Sequence, residues 1–162
     1  MNIGNTAVEE RDVSIAQWYE LAQQGIVLPM HIPLDGDSMR PLIRRGRDPV
    51  TIVPLTRPLR CGDVVLFEYP VGRYVVHRVR RIREGLVQTL GDHCWNPDPW
   101  MPCTCVLGLV PRIQRNGRFI VLDSPIARGL GRIWMAGLPL RRLWWSGKGK
   151  AYRMLHRTEK RR

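Results

Sequence analysis

From residue 26 to about residue 123 the chain is cut by Gly and Pro into short runs rich in β-branched residues. The runs are Ile26–Pro29, Val50–Pro54, Asp63–Phe67, Tyr74–Val79, Leu86–Leu90, Val106–Val110 and Phe119–Leu122. They are too short for helices, and their β-branched side chains suit a pleated surface. Regularly spaced short strands separated by turn residues predict a mainly β domain, antiparallel or barrel-like. The chain has 162 residues, enough for one domain of ordinary size.

The two ends differ from this middle. Residues 12–25 (DVSIAQWYELAQQG) place Val13, Ala16 and Leu21 near helical spacing, with Gly25 as a stop, and predict a short amphipathic helix. The domain boundaries expected are therefore 1–25 for the helical segment, 26–123 for the β domain and 124–162 for a basic extension. That extension holds eleven Lys and Arg against the single acid Glu159, and its Leu130–Trp145 run mixes Trp with Arg132, Arg141 and Arg142. Pro139 should break or kink a helix there. Core capping by the aromatics is the first expectation. Peripheral contact with an anionic membrane comes second, because Trp and Arg suit a lipid interface, and nucleic acid comes last.

Net charge is +12, and residues 1–37 carry only Arg11 against six acids, so the excess lies in the remainder. A basic body of this kind favours polyanions. Almost all the cations are arginine; Lys148, Lys150 and Lys160 are the three lysines. No run approaches the roughly 18–20 apolar residues of a membrane-spanning helix, and residues 1–15 (MNIGNTAVEERDVSI) lack a signal-peptide pattern. Cys61, Cys94, Cys103 and Cys105 are then expected as reduced thiols in a cytoplasmic protein, held at most peripherally at the inner face of the membrane.

Three segments carry groups that can do chemistry together. They are Gly36-Asp37-Ser38-Met39-Arg40-Pro41, the stretch from Cys61 to Val79 containing His77, and Thr89-Leu90-Gly91-Asp92-His93 with Asp98 beyond it. A serine hydroxyl attacks poorly unless a neighbouring base removes its proton. Ser38 lies on a Gly/Pro turn where a side chain can be presented, and His77 lies in an apolar run that would hold an imidazole rigidly. A carboxylate would orient and stabilise the ring. Residue types alone fit structural roles equally well, since a Ser in a turn, a His in a strand and an Asp after Gly each have ordinary packing explanations.

The ordered set G-x-S-M-x-P, R-x-G-R-D, G-D-V-V-x-F, V-V-H-R-V and G-D-H, over about residues 34–110, resembles the signal-peptidase and SOS-repressor superfamily of serine peptidases. The resemblance implies a signal-peptidase-like β domain with Ser38 as nucleophile. It places His77 where most bacterial members have a lysine base, as in the histidine-type, endoplasmic-reticulum-like enzymes. Asp98 falls where such enzymes carry the aspartate thought to complete the triad, and Asp92 would shape the site; the reverse assignment stays open. Gly36, Met39 and Pro41 would flank the substrate. Gly36 stands where lysine-type relatives can carry a hydroxyl that helps hold the oxyanion, and His93-Cys94 replace two asparagines of the histidine-type pattern.

The activity implied is cleavage of a leader or signal segment from a peptide or protein precursor through an acyl-enzyme, with no cofactor and no metal. Cys103-Thr104-Cys105 is too tight for a common zinc knuckle, and His31 and His156 have no partner identifiable in sequence. A different class remains: a non-catalytic binding module that keeps the peptidase fold and uses its basic surface.

Overall fold

The computed structural model describes residues 14–26 and 29–137. Among these, helix α1 (Ile15–Gln23) is followed by strands β1 (Met30–Ile32), β2 (Val50–Pro54), β3 (Val64–Glu68), β4 (Tyr74–Arg83) and β5 (Leu86–Leu90). Strand β6 (Met101–Pro102), a 3-10 turn (Cys103–Cys105), β7 (Val106–Arg115), β8 (Arg118–Val121) and helix α2 (Pro125–Ala136) complete the order. The protein is mainly β. Its eight strands pair antiparallel in one sheet, in the order β1-β2-β7-β3-β4-β5-β6, with β8 also on β7.

Most of the expected runs form strands, with shifts at their ends. The predicted strand Ile26–Pro29 does not form where expected: Ile26 and Pro29 lie outside any strand, and pairing begins at Met30 opposite Ile52. Strands β4 and β7 extend well past the apolar runs into arginines because β5 and β8 continue the ladder beside them. The basic Trp-rich run beyond Gly137 lies outside the described residues.

The apolar run of β3 has a direct explanation. Successive strand residues point to opposite faces, and here both faces are covered. Val64 and Leu66 join a cluster with Trp18, Met39, Ile43, Val50, Ile52, Val76, Val110 and Ile113. Val65 and Phe67 join another with Val79, Val87, Met101, Val106 and Leu109. The first cluster brings α1 onto the sheet through Trp18. That helix starts at a capping box, in which the Ser14 hydroxyl accepts from Gln17 N–H and the Gln17 side chain accepts from Ser14 N–H.

The segment carrying Ser38 has no regular secondary structure, yet it is tied down at several points. Met39 and Ile43 are buried in the first cluster. Gly46 N–H donates to Leu34 O. Asp48, buried in the body, accepts from Arg44 N–H and from the Arg115 guanidinium, and Arg115 also reaches Leu42 O at 2.6 Å. Arg115 therefore couples the end of β7 to the loop that carries the serine.

Among the described residues no helix is long and apolar enough to cross a membrane.

Burial opposes the charge on Asp48, but the hydrogen bonds from Arg115 and Arg44 outweigh it and hold its carboxyl below the usual range. A depressed carboxyl contributes stability that is present above its unfolded value and lost as pH falls through the folded one. Asp48→Asn is expected to cost about 1.5–3 kcal/mol, the usual worth of hydrogen bonds to a charged group, in urea unfolding at neutral pH. The loss should shrink on acidification below about pH 4.

Candidate active site

His77 and Arg78 are consecutive on β4 and face opposite ways. His77 lies on the side of the Phe67 ring, 5.9 Å between centroids. The register sets Val65 opposite His77 and Leu90 opposite Arg78, which brings the end of β5 and the loop after it to both residues.

The loop delivers a carboxylate to the histidine. Asp98 is pinned to β5 by its own N–H donating to Thr89 O (2.9 Å) and by Gln88 Nε2 donating to its carbonyl (3.2 Å). Its Oδ2 then receives the Thr89 hydroxyl at 2.6 Å and lies 2.7 Å from His77 Nδ1. The ring is 7% exposed. Nδ1 therefore donates to Asp98, which leaves Nε2 for another group. Nε2 is buried and makes no hydrogen bond among the described residues.

Asp92, the other candidate orienter, is committed elsewhere. Its two oxygens receive Arg78 Nε (2.9 Å) and Nη2 (2.8 Å) in a fully buried fork, and its carbonyl accepts Trp134 Nε1 from α2 at 2.9 Å. Arg78 Nη1 donates to Gly62 O at 3.0 Å. Helix α2 packs over this pair at Gly131, where a β-carbon would sit 2.4 Å from Arg78 Nη1, so only glycine fits. The two aspartates thus divide the work: Asp98 orients the imidazole and Asp92 fixes the neighbouring backbone.

Ser38 reaches the same place from the other side. Its carbonyl accepts His93 N–H at 2.8 Å. The position a β-carbon on Gly91 would occupy lies 2.7 Å from Ser38 O, 2.7 Å from Cys94 Sγ and 2.9 Å from His77 Nε2. Ser38, Cys94 and His77 therefore converge on Gly91, and any side chain there would collide with all three. The Ser38 hydroxyl is not hydrogen-bonded to Nε2 in this arrangement.

The residues expected to flank a substrate separate. Gly36 is exposed, and a β-carbon on it would lie 4.0 Å from Ser38 Oγ. Pro41 is exposed and lines a cavity of about 340 Å³ together with Asp37, Arg40, His93, Cys94 and Trp95. Met39 corrects its expectation: it is 1% exposed and turned into the core, because the residue after the serine anchors the loop.

Thr89, Arg78 and Gly91 act in this centre without having been singled out as groups of the site. The only sequence signal for them was their place in the V-V-H-R-V and T-L-G-D-H stretches; their partners lie in other segments. His31, which had no identifiable partner, meets the Thr51 hydroxyl at 3.1 Å. The described residues hold no group of three or more His, Cys, Asp or Glu arranged for a metal ion.

Charge follows geometry. Burial works against a charged His77, but the bond to Asp98, the Cys94 sulfur beside the ring and the Asp98 charge outweigh it, raising its pKa to about 9. Asp98 is lowered: burial would raise it, and the His77 bond and charge, the Thr89 hydroxyl and Arg73 overcome this. The resting pair at neutral pH is an imidazolium on a carboxylate.

No family model, no curated protein and no solved structure matches this chain.

Asp98→Asn removes the main support for the charged ring. The His77 titration, followed by NMR of its ring protons, is expected to move from about 9 to below the ordinary value near 6.5, because burial then acts with little opposition. Stability should respond with the matching sign. The wild-type contribution from His77 is complete below about 6.5 and is lost as pH rises through about 9, and the variant should lack that alkaline loss.

Proposed function

We propose that the chain is a serine endopeptidase of signal-peptidase-like fold that removes a leader or signal segment from a peptide precursor. The observation that carries this reading is the state of His77. One ring nitrogen is held by Asp98, and the other is buried, unbonded and next to the segment bearing Ser38. The ordered motifs around Ser38, His77 and Asp98, with their resemblance to histidine-type signal peptidases, supply the reaction class.

In this mechanism the Ser38 hydroxyl turns to Nε2 and passes its proton there as Oγ attacks the scissile carbonyl. The bond from Nδ1 to Asp98 keeps the ring in the tautomer that accepts at Nε2 and stabilises the imidazolium that forms. That imidazolium returns the proton to the leaving amine, and water then releases the acyl group by the same route in reverse. Backbone N–H groups, including that of Ser38, hold the oxyanion, since Gly36 offers no side-chain donor. The cavity beside Asp37, Arg40 and Pro41 takes the residues around the cleaved bond. An extended precursor can add to a nearby strand edge by main-chain pairing.

One observation favours a second reading, a non-catalytic module that binds polyanions through its +12 charge. With its pKa near 9, only roughly one His77 in a hundred is neutral at pH 7, and the serine hydroxyl is not engaged with it. Stoichiometric reaction of Ser38 with a fluorophosphonate probe supports the peptidase. No such reaction, together with vesicle or nucleic-acid binding that falls steeply with salt, supports the module.

Ser38→Ala is expected to abolish product release from a cleavable precursor while leaving the circular dichroism and melting temperature close to wild type; undiminished cleavage sinks the proposal. Because the base must be neutral to act, kcat/KM should climb with pH and level off only above about 9. A profile already flat at pH 7 means that the His77 pKa is not raised in the working site.

A further inference from the structure

The chain holds four free thiols of similar, intermediate exposure. Cys103 and Cys105 pack against the second apolar cluster. Cys94 is placed differently. It packs against Leu90 and Met135, and its sulfur shares with His77 Nε2 the small space over Gly91, 2.7 Å and 2.9 Å respectively from the same point. Its backbone is fixed there by Cys94 N–H donating to Gly91 O at 2.9 Å and by His93 N–H donating to Ser38 O.

Independently of the cysteine, Nε2 points to a missing group. The ring is 7% exposed, its other nitrogen is tied to Asp98, and Nε2 is enclosed without a hydrogen bond among the described residues. A buried imidazole nitrogen left so is costly, and when neutral it is held rigidly enough to take a proton from an acid that reaches it. Sγ is already beside it. Cys94 also lines the cavity with Pro41, His93 and Trp95, which gives a small molecule a way to it. A thiol next to a histidine is the setting in which cysteines become nucleophilic and oxidisable.

We propose that Cys94 is an oxidisable thiol whose proton is taken by His77, and that a hydroperoxide is the class of substrate it reacts with. The sulfur attacks the terminal peroxide oxygen, an S–O bond forms and the O–O bond breaks. The thiol proton moves to Nε2 of the neutral ring, and from there to the departing oxygen, which leaves as water or an alcohol. Sulfur is oxidised by two electrons to a sulfenic acid and the hydroperoxide is reduced by the same two. The product is reversible by thiols. Its oxygen lies against Nε2 and takes the nitrogen that Ser38 would need, so oxidation switches off the base.

The chemistry shares the His77–Asp98 pair with the proposed peptidase but does not pass through Ser38. It is therefore testable whether or not any peptide is cleaved. The full chain is exposed briefly to hydrogen peroxide, sulfenic acid is trapped with a dimedone reagent, and peptides cut at the aromatic residues are quantified by mass spectrometry; cleavage after Trp95 and Trp100 separates Cys94 from Cys103. Cys94 is expected to trap about 10-fold faster than Cys61, Cys103 or Cys105. His77→Gln should slow Cys94 alone by on the order of 100-fold, the contribution of a positioned base. His77→Gln should keep the wild-type circular dichroism, so that its slower trapping reads the lost base and not unfolding. Trapping of Cys94 at the rate of Cys61 in the wild-type chain overturns the proposal, and so does rapid trapping that His77→Gln leaves unchanged.

Discussion

Arg78 and Asp92 form an ion pair with almost no exposure to water, and three parts of the structure close around it. The guanidinium belongs to β4, the carboxylate to the loop after β5, and helix α2 covers both with Gly131 while binding the Asp92 carbonyl through Trp134. Bringing two charges into the interior costs several kcal/mol per ion before their attraction returns it. The fork geometry and the extra bond to Gly62 O satisfy most of what water would have supplied. Such a pair adds little net stability but tolerates no other arrangement of its neighbours, because a single unpaired charge left inside is far more costly. Its effect is to fix the register of the loop relative to β4.

That register is what places the candidate site. Ser38 O and His93 N–H, Cys94 and Gly91, Asp98 and Thr89 are all contacts of this same loop. His77 and Arg78 alternate across the sheet, so one residue anchors the loop on one face while the next receives Asp98 on the other. A shift of one position along β4 would exchange the two faces and leave an imidazole in the buried fork. The anchoring pair and the reacting pair are therefore consequences of one strand alternation.

The charge state of His77 connects structure to both proposals. An imidazole held by a carboxylate gains basicity and loses availability, because the proton it readily accepts is also readily kept. A peptidase using this base would run best in alkaline conditions. A neighbouring thiol that gives its proton to this ring would depend on the same neutral fraction. Cys94 Sγ and the Ser38 carbonyl both lie beside Gly91, so under the two proposals the thiol and the Ser38 hydroxyl would draw on the same nitrogen.

Much of the architecture was legible in the order of residues. Short β-branched runs broken by Gly and Pro forecast the strands, and the spacing of Val13, Ala16 and Leu21 before Gly25 forecast α1, because local preference and pattern agree there. The first strand was placed too early, at Ile26–Pro29 where pairing begins at Met30, and the two-residue strand β6 and the long arginine-bearing halves of β4 and β7 went unread, since they depend on which strand lies alongside. The sequence also offered His77 as the candidate base, since the three lysines all lie in the last fifteen residues and the motif resemblance implies histidine at that place. Only the tertiary structure decided that Asp98 meets the ring while Asp92 grips Arg78, that Met39 anchors rather than contacts, and that Cys94 shares the nitrogen. Arg78 and Asp92 are 14 positions apart, His77 and Cys94 are 17, and His77 and Asp98 are 21. Residue type cannot choose among equally suitable partners at such separations; the hydrogen-bond register and the filling of the core do.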